Sequence, residues 1–173
     1  MNNLKRNIPV VFLFMLLMPG SLFAAGSSST DGSFTNGSSN SAVYRQQVDS
    51  PVDQVYDNLY KSLEDARFFV VFEPDIGANL SRFSEKWGDE YNQNKLTAIR
   101  SMVFCNGWYA NKVSNTDPDM LAICPLHLSL VERDGKTTVL FIRPGVIGQN
   151  SPAKAILETI ESEVIEAIEA GLQ

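Results

Sequence analysis

Residues 126–143, LHLSLVERDGKTTVLFIR, constrain the fold of this chain more than any other segment. Two runs rich in apolar and β-branched residues, 126–132 and 137–143, flank the tetrapeptide Arg133-Asp134-Gly135-Lys136. An Asp-Gly step between such runs is typical of a tight β-hairpin, because the central positions of its turn require positive φ. The chain is therefore expected to contain a sheet that is at least partly antiparallel.

An amphipathic helix and an apolar strand are predicted ahead of the hairpin. Ser50-Pro51 has the form of a helix start, with Ser as the N-cap and Pro at the first helical position. Apolar residues then recur at helical spacing and predict a helix over 51–66: Val52, Val55, Tyr56, Leu59 and Leu63. The aromatic and β-branched run at 68–72 predicts a buried strand.

The other patterns complete the order of elements. They predict strands at 43–48 and 97–105, a helix of about ten residues ending at Gly88, and a helix over 108–122 interrupted at Asp117-Pro118. Ser151-Pro152 starts a last helix, capped by Gly171, with Ile156, Ile160, Val164 and Ile168 on one face and Glu158, Glu161, Glu166 and Glu169 elsewhere. This order predicts a single α+β domain, in which helices cover a partly antiparallel sheet, with an extra C-terminal amphipathic helix.

The N-terminal segment is predicted to be a targeting signal. Lys5 and Arg6 precede the apolar run 10–18, and small residues at Ala24 and Ala25 supply a cleavage site. A bilayer span needs about 20 apolar residues, so this run is too short to be an anchor. We therefore expect a signal peptide at 1–24, export to a bacterial periplasm, and no membrane insertion after cleavage.

A Gly/Ser-rich segment, 25–42, follows and is predicted to be a flexible tether. The formal net charge of −6 becomes −8 after cleavage, because the signal peptide carries Lys5 and Arg6 and no acidic residue. Such an acidic protein is a poor partner for nucleic acid, whose phosphates repel it.

Both cysteines stand next to predicted strands: Cys105 ends one and Cys124 precedes the next. If these strands are neighbours, the two thiols lie within reach of each other. In an exported domain a structural disulfide is one interpretation, because Cys pairs form and persist in oxidising compartments. A reversible thiol redox pair is another, although 18 intervening residues are unlike a thioredoxin motif. Two free, buried thiols are also possible.

A soft-metal or haem site is a further alternative at the cysteines. Copper and haem iron are ligated by thiolates and thioethers, and Met102, Met120 and His127 lie near the thiols in sequence. Asn106, Met120 and His127 are the auxiliary candidates at this site. Strand alternation places His127 on the face opposite Leu126 and Leu128, so it need not point at the thiols. No cofactor is required by any of these patterns.

Four other residues are candidates for a ligand pocket. Arg100 and Arg143 lie on predicted strands. There they pair with carboxylates such as Glu73 or Glu132, lie at an edge with their charged ends in solvent, or hold an anionic ligand together. Trp108 and Tyr109 either line a small pocket or pack on the sheet or at a dimer interface. No acid–base pair, catalytic triad or phosphate-binding loop is recognisable, so an enzyme is not favoured.

The order of these short motifs resembles the bacterial and archaeal family known as domain of unknown function 302. Where that family commonly has Phe-Gly-Asn-Pro and Leu-Pro-Leu, this chain has Phe104-Cys105-Asn106-Gly107 and Cys124-Pro125-Leu126. The resemblance covers residues 43–145 and leaves the last helix, in 146–173, outside. It implies a small α/β domain that tends to form homodimers, and it implies no catalytic mechanism.

Taken together, these observations predict an exported accessory or binding protein with a small ligand or protein partner. Cys105 and Cys124 are expected to form a structural disulfide. The alternative is a thiol-redox or soft-metal protein that uses the same two cysteines.

Overall fold

A computed structural model describes residues 41–173, which belong to one compact unit. The predicted signal peptide and nearly all of the predicted tether lie outside the described residues. The strands are β1 (Val43–Val48), β2 (Phe69–Phe72), β3 (Ala98–Cys105), β4 (Leu126–Arg133) and β5 (Lys136–Ile142). The helices are α1 (Val52–Asp65), α2 (Ile76–Ser81), α3 (Ser84–Trp87), α4 (Gly107–Thr116), α5 (Pro144–Ile147) and α6 (Lys154–Gly171).

The five strands form one antiparallel sheet in the order β1-β5-β4-β3-β2. The predicted hairpin joins β4 to β5, with Arg133 opposite Lys136. Asp134 and Gly135 have φ values of 55° and 73°, the left-handed conformation that this two-residue turn requires. The predicted α+β class is therefore confirmed, with a sheet that is antiparallel throughout.

The core lies between one face of the sheet and the two long helices, α1 and α6. Alternate strand residues point to these helices and are fully buried: Met102, Phe104, Leu128, Leu130, Val139 and Phe141. Gly171 lies inside α6 instead of capping it, and a Cβ there would stand 2.7 Å from Ser62 Oγ on α1. The absence of a side chain at Gly171 therefore lets α6 pack closely against α1 at this point.

The prediction of a buried strand at 68–72 is wrong for most of that run. Phe68 is fully buried, but β2 is the edge strand and pairs only with β3. Phe69 and Phe72 lie opposite Cys105 and Val103 on the face that the long helices leave uncovered, and they are 54% and 63% exposed. An apolar run predicts a strand but carries no information on whether that strand is central or at an edge.

Two segments predicted as helices are each divided. The segment 76–87 forms α2 and α3, and its aromatic residues Phe83 and Trp87 lie on the surface. The segment 108–122 breaks as predicted, into α4 and a 3₁₀ turn, Pro118–Ile123. Asp117 stands at this break and caps the second piece by accepting a hydrogen bond from Asp119 N. Among residues 41–173, no helix combines the length and apolarity needed to cross a membrane.

Candidate functional site

The two cysteines meet at one end of the sheet. β3 and β4 are antiparallel neighbours with Phe104 opposite Leu126, so the end of β3 and the start of β4 lie side by side. The Sγ atoms of Cys105 and Cys124 are 3.9 Å apart. The predicted proximity is therefore confirmed. The predicted disulfide is not formed in this structure, because a sulfur–sulfur bond is about 2.05 Å long and both cysteines are free.

A narrow apolar cavity of about 30 Å³ adjoins the thiols, under the segment that connects them. Its walls come from the strand ends, α4, the following 3₁₀ turn and α6, and include Cys105, Cys124, Phe68, Tyr109, Met120 and Leu157. The volume corresponds to about one water molecule. The cavity therefore has room for an ion or a water, and none for a larger ligand without movement of its walls.

Asn106 fixes the start of the segment between the cysteines. Its Oδ1 accepts hydrogen bonds from Trp108 N at 3.0 Å and Tyr109 N at 3.2 Å, which makes it the N-cap of α4. The amide oxygen is thereby committed to the backbone. Asn106 consequently positions α4 directly after Cys105, and we assign it a structural role at this site.

The two aromatic candidates at the start of α4, Trp108 and Tyr109, lie in different environments. Tyr109 lines the cavity, stacks on Phe68 with ring centroids 6.2 Å apart, and donates a hydrogen bond to Glu163 on α6. That hydrogen bond, with burial and the carboxylate charge, raises the pKa of Tyr109 to about 12. Trp108 is 63% exposed beneath Lys112 and does not line the cavity. Tyr109 therefore holds α4 against α6.

Of the two auxiliary residues beyond Asn106, only Met120 lines the cavity with the thiols. His127 is exposed and pairs with Val103 on the uncovered face of the sheet, as strand alternation predicted. Within residues 41–173 no three His, Cys, Asp or Glu side chains converge in a way that could hold a metal ion. Any ion at this site would rely on the two thiolates and the Met120 thioether.

The structure excludes one of the alternatives for the two arginines, that Arg100 and Arg143 hold one anion together. Arg100 lies near the start of β3 and Arg143 follows the end of β5. These strands run in the same direction on either side of β4, so the two side chains belong to opposite ends of the sheet. Strand register alone separates them, and no clamp can form.

Each arginine pairs with a carboxylate that the sequence did not indicate. Arg100 Nη1 is 3.0 Å from Asp53 Oδ1, and its guanidinium lies over the Tyr56 ring. Arg143 contacts Glu161 Oε1 at 2.7 Å. The sequence pattern assigns Glu161 to a position outside the apolar face of the last helix, but Glu161 is buried. Helical periodicity could not reveal this, because the partner, Arg143, follows β5 and is distant from α6 in sequence.

Cys124 is the thiol with the clearest electrostatic perturbation. Burial and, secondarily, the neighbouring Cys105 raise its pKa from an ordinary 9.0 to about 11. At neutral pH Cys124 is therefore protonated and a weak nucleophile. A raised pKa means that the folded, reduced protein holds this proton more tightly. The stability contributed by this proton is complete below pH 9 and is lost as the pH rises towards 11.

We predict that alkylation of Cys124 by iodoacetamide in the reduced protein is slow at pH 8 and accelerates towards pH 11. Peptide mapping by mass spectrometry at each pH gives the rate for each cysteine separately. Cys105→Ser removes the neighbouring charge and should move the Cys124 profile to lower pH. A midpoint at or below pH 9 in the folded wild-type protein would contradict this assignment.

The fold and the thiol site define a class of protein: a two-layer α+β domain, one sheet face covered by helices, with a cysteine at each of two adjacent strand ends. The chain belongs to the family described as "Domain of unknown function DUF302", whose sequence profile matches residues 44–171. This match includes α6, whereas the resemblance seen in the sequence covered 43–145.

A solved structure shares this fold. The chain is similar to the protein described as "Crystal structure of uncharacterized conserved protein DUF302 from Bacillus stearothermophilus", with a TM-score of 0.64 and 22% sequence identity. The similarity covers 75% of this chain and 97% of that one. A comparison with curated proteins gave no match.

Proposed function

We propose that this DUF302 protein is an exported binding or accessory protein in which Cys105 and Cys124 close into a structural disulfide. One observation carries the thiol part of this proposal: the two Sγ atoms lie 3.9 Å apart at neighbouring strand ends. They need to approach by about 2 Å to reach bonding distance. The N-terminal sequence supports export, because it combines basic residues, a short apolar run and a small-residue cleavage site.

Closure would tie down the segment that covers the cavity. Two thiols lose two protons and two electrons to an oxidant, such as the disulfide of a thiol oxidase, and one sulfur–sulfur bond forms. The closed loop contains 18 residues between the cysteines and would stabilise the fold by about 3 kcal/mol in the chain-entropy model. The disulfide would then hold both ends of the segment that contains α4 and the 3₁₀ turn, in addition to the Asn106 cap at its first end.

The raised pKa of Cys124 favours a structural disulfide rather than a redox-active one. A thiol with a pKa of about 11 supplies little thiolate at neutral pH to attack a disulfide. It is also a poor leaving group when another thiol attacks Cys105 in the oxidised form. Both effects slow thiol exchange, so a bridge between these cysteines would persist once formed.

The central experiment is mass spectrometry of the protein purified from a bacterial periplasm. We expect a mass 2 Da below that of the reduced chain, no alkylation without reductant, and an N-terminus created by cleavage after Ala24 or Ala25. The oxidised protein should be about 3 kcal/mol more stable than the reduced protein in urea. The double variant Cys105→Ser, Cys124→Ser is the matched control, because its stability should not respond to reductant. Two alkylatable thiols in the exported wild-type protein would refute the disulfide.

A second candidate function is soft-metal binding, which Met120 favours because its side chain lines the same cavity as both thiols. Two thiolates that each lie about 2.3 Å from one ion stand roughly 3.8–4.6 Å apart, and 3.9 Å falls in this interval. Haem does not fit, because its ring is far larger than a cavity of about 30 Å³. This candidate would be favoured if the wild-type protein retains copper(I), if Met120→Leu lowers the affinity for copper(I), and if Met102→Leu leaves that affinity unchanged.

A homodimer is part of the proposal. The face of the sheet without long helices exposes apolar side chains, among them Val43, Phe69, Phe72 and Ile142. Burial of such a surface against a second copy would be favourable. Native mass spectrometry of the same periplasmic sample reads the subunit number directly, and a monomer at all concentrations would refute this part.

A further inference from the structure

A groove of about 590 Å³ opens at the end of β3 that is remote from the cysteines. It lies between α2, the end of α3, the loop 88–97 and the first residues of β3. The volume falls in the range of about 300–1,000 Å³ that is usual for small-molecule sites. The groove is independent of the thiol site, since no residue lines both.

Aromatic rings form one wall of this groove. Trp87 and Tyr91 both line it, with ring centroids 6.5 Å apart. Phe83 stacks on one face of Trp87, with ring centroids 5.1 Å apart. Trp87 is nevertheless 38% exposed, although burial of so large an apolar ring is favourable. The rings therefore offer a ready stacking surface to a ligand.

Uncharged polar groups stand beside these rings. The lining includes the amides of Asn92, Gln93 and Asn94. Asn92 holds the loop, because its side chain bonds both the N–H and the C=O of Leu96 at 2.9 and 2.8 Å. Within the described part of the chain, the Trp87 indole N–H, the Tyr91 hydroxyl and the Asn94 amide have no hydrogen-bond partner. These three groups remain available to a ligand.

The loop 88–97 has several residues in an uncommon backbone conformation. Gly88, Asn92 and Lys95 all have positive φ, at 51°, 47° and 54°. This region is uncommon for a lysine and is maintained only where the surroundings determine it. Gly77 brings α2 close to β3 across the floor, because a Cβ there would stand 3.1 Å from Ile99 N. The groove is thus preformed by specific backbone features.

The charged and polar groups of the groove indicate which class of ligand it can bind. Glu90 is the charged residue in its lining, and no Lys or Arg contributes. An anion would meet no cation there and would be repelled by the acidic protein. A purely apolar ligand would leave the indole N–H, the hydroxyl and the amides without partners, which is unfavourable. A neutral ligand with both an apolar face and many hydroxyl groups satisfies both requirements.

We propose that this groove binds a neutral saccharide. The C–H face of a sugar ring stacks on Trp87 and Tyr91, as apolar faces do on aromatic rings. Its hydroxyl groups pair with the Asn94 amide, the Tyr91 hydroxyl and the Glu90 carboxylate, which between them provide donors and acceptors. This inference names the substrate class of the binding role proposed above and rests on that role, but not on the cysteines.

The test uses tryptophan fluorescence, because the chain has only two tryptophans, Trp87 and Trp108. In a Trp108→Phe background Trp87 is the sole reporter. The probes are maltotriose, cellotriose and N-acetylglucosamine trimer, with sialyllactose as the anionic comparison. We expect at least one neutral probe to bind with a Kd of about 1 mM or tighter, and sialyllactose to bind at least about tenfold more weakly.

Variants then locate the binding. NMR titration of the neutral probe should show an affinity about tenfold lower for Trp87→Ala and about threefold to tenfold lower for Asn94→Ala. Trp108→Ala is the matched control, since Trp108 is exposed outside the groove, and its affinity should be unchanged. No binding of any neutral probe at about 10 mM would overturn the proposal. Equal affinity of the Trp87 and Trp108 variants would overturn it as well. Either result leaves the disulfide proposal untouched, because mass spectrometry tests that separately.

Discussion

Glu161→Ala is expected to lower the free energy of unfolding by about 3–5 kcal/mol. Glu161 Oε1 accepts hydrogen bonds from Arg143, and Oε2 accepts one from Gly145 N at 2.9 Å. The Glu161 and Arg143 side chains are only 11% and 23% exposed. Removal of the carboxylate leaves the Arg143 guanidinium and a buried backbone N–H without this acceptor. Urea denaturation followed by circular dichroism measures the loss.

Glu158→Ala is the matched control, on the same helix. Glu158 forms an exposed pair with Lys154 at 3.5 Å, and such pairs contribute about 0.3–0.5 kcal/mol. Glu161→Gln retains the side-chain volume and should give an intermediate loss. Equal effects of the Glu161 and Glu158 alanine variants would show that the buried pair does not hold α5 and β5 to α6.

Phe68→Ala should destabilise the fold by about 3–5 kcal/mol, the usual cost of deleting a buried aromatic side chain. Phe68 is fully buried, packs edge-on against Phe104 and stacks on Tyr109. Its loss opens a cavity beneath the start of α4 and next to the thiols. The same urea experiment reads this change, and near-ultraviolet circular dichroism reports the loss of aromatic packing.

Phe69→Ala provides an internal comparison at the next residue. Phe69 is more than half exposed on the edge strand, so its replacement should change the stability of the monomer by about 0.5 kcal/mol or less. An effect that grows with protein concentration would instead report the proposed dimer. A loss that equals that of Phe68→Ala at every concentration would contradict the assignment of β2 as an open edge.

Local patterns predicted much of this fold because they depend on neighbouring residues. The Asp134-Gly135 turn requires a backbone conformation that few other pairs adopt, so the hairpin was recognisable. The break at Asp117-Pro118 follows from the missing N–H of proline and the capping carboxylate of Asp117. The approach of Cys105 to Cys124 followed from their places beside two strands that were assumed, correctly, to be neighbours.

The parts that could not be predicted depend on elements far apart in the chain. The sequence left open whether Arg100 and Arg143 share a ligand, and strand order places them at opposite ends of the sheet. The aromatic groove at Trp87 arises where a divided helix and a loop meet β3, and its residues read as an ordinary helix and a polar loop.

The sequence by itself determined the type and order of most elements and the hairpin, because backbone conformation and side-chain periodicity are local properties. Only the tertiary structure decided which apolar residues are buried, which carboxylate meets which arginine, and where a cavity lies. Phe68 and Phe69 are chemically identical neighbours, and they differ only because the helices pack on one face of the sheet and leave the other uncovered.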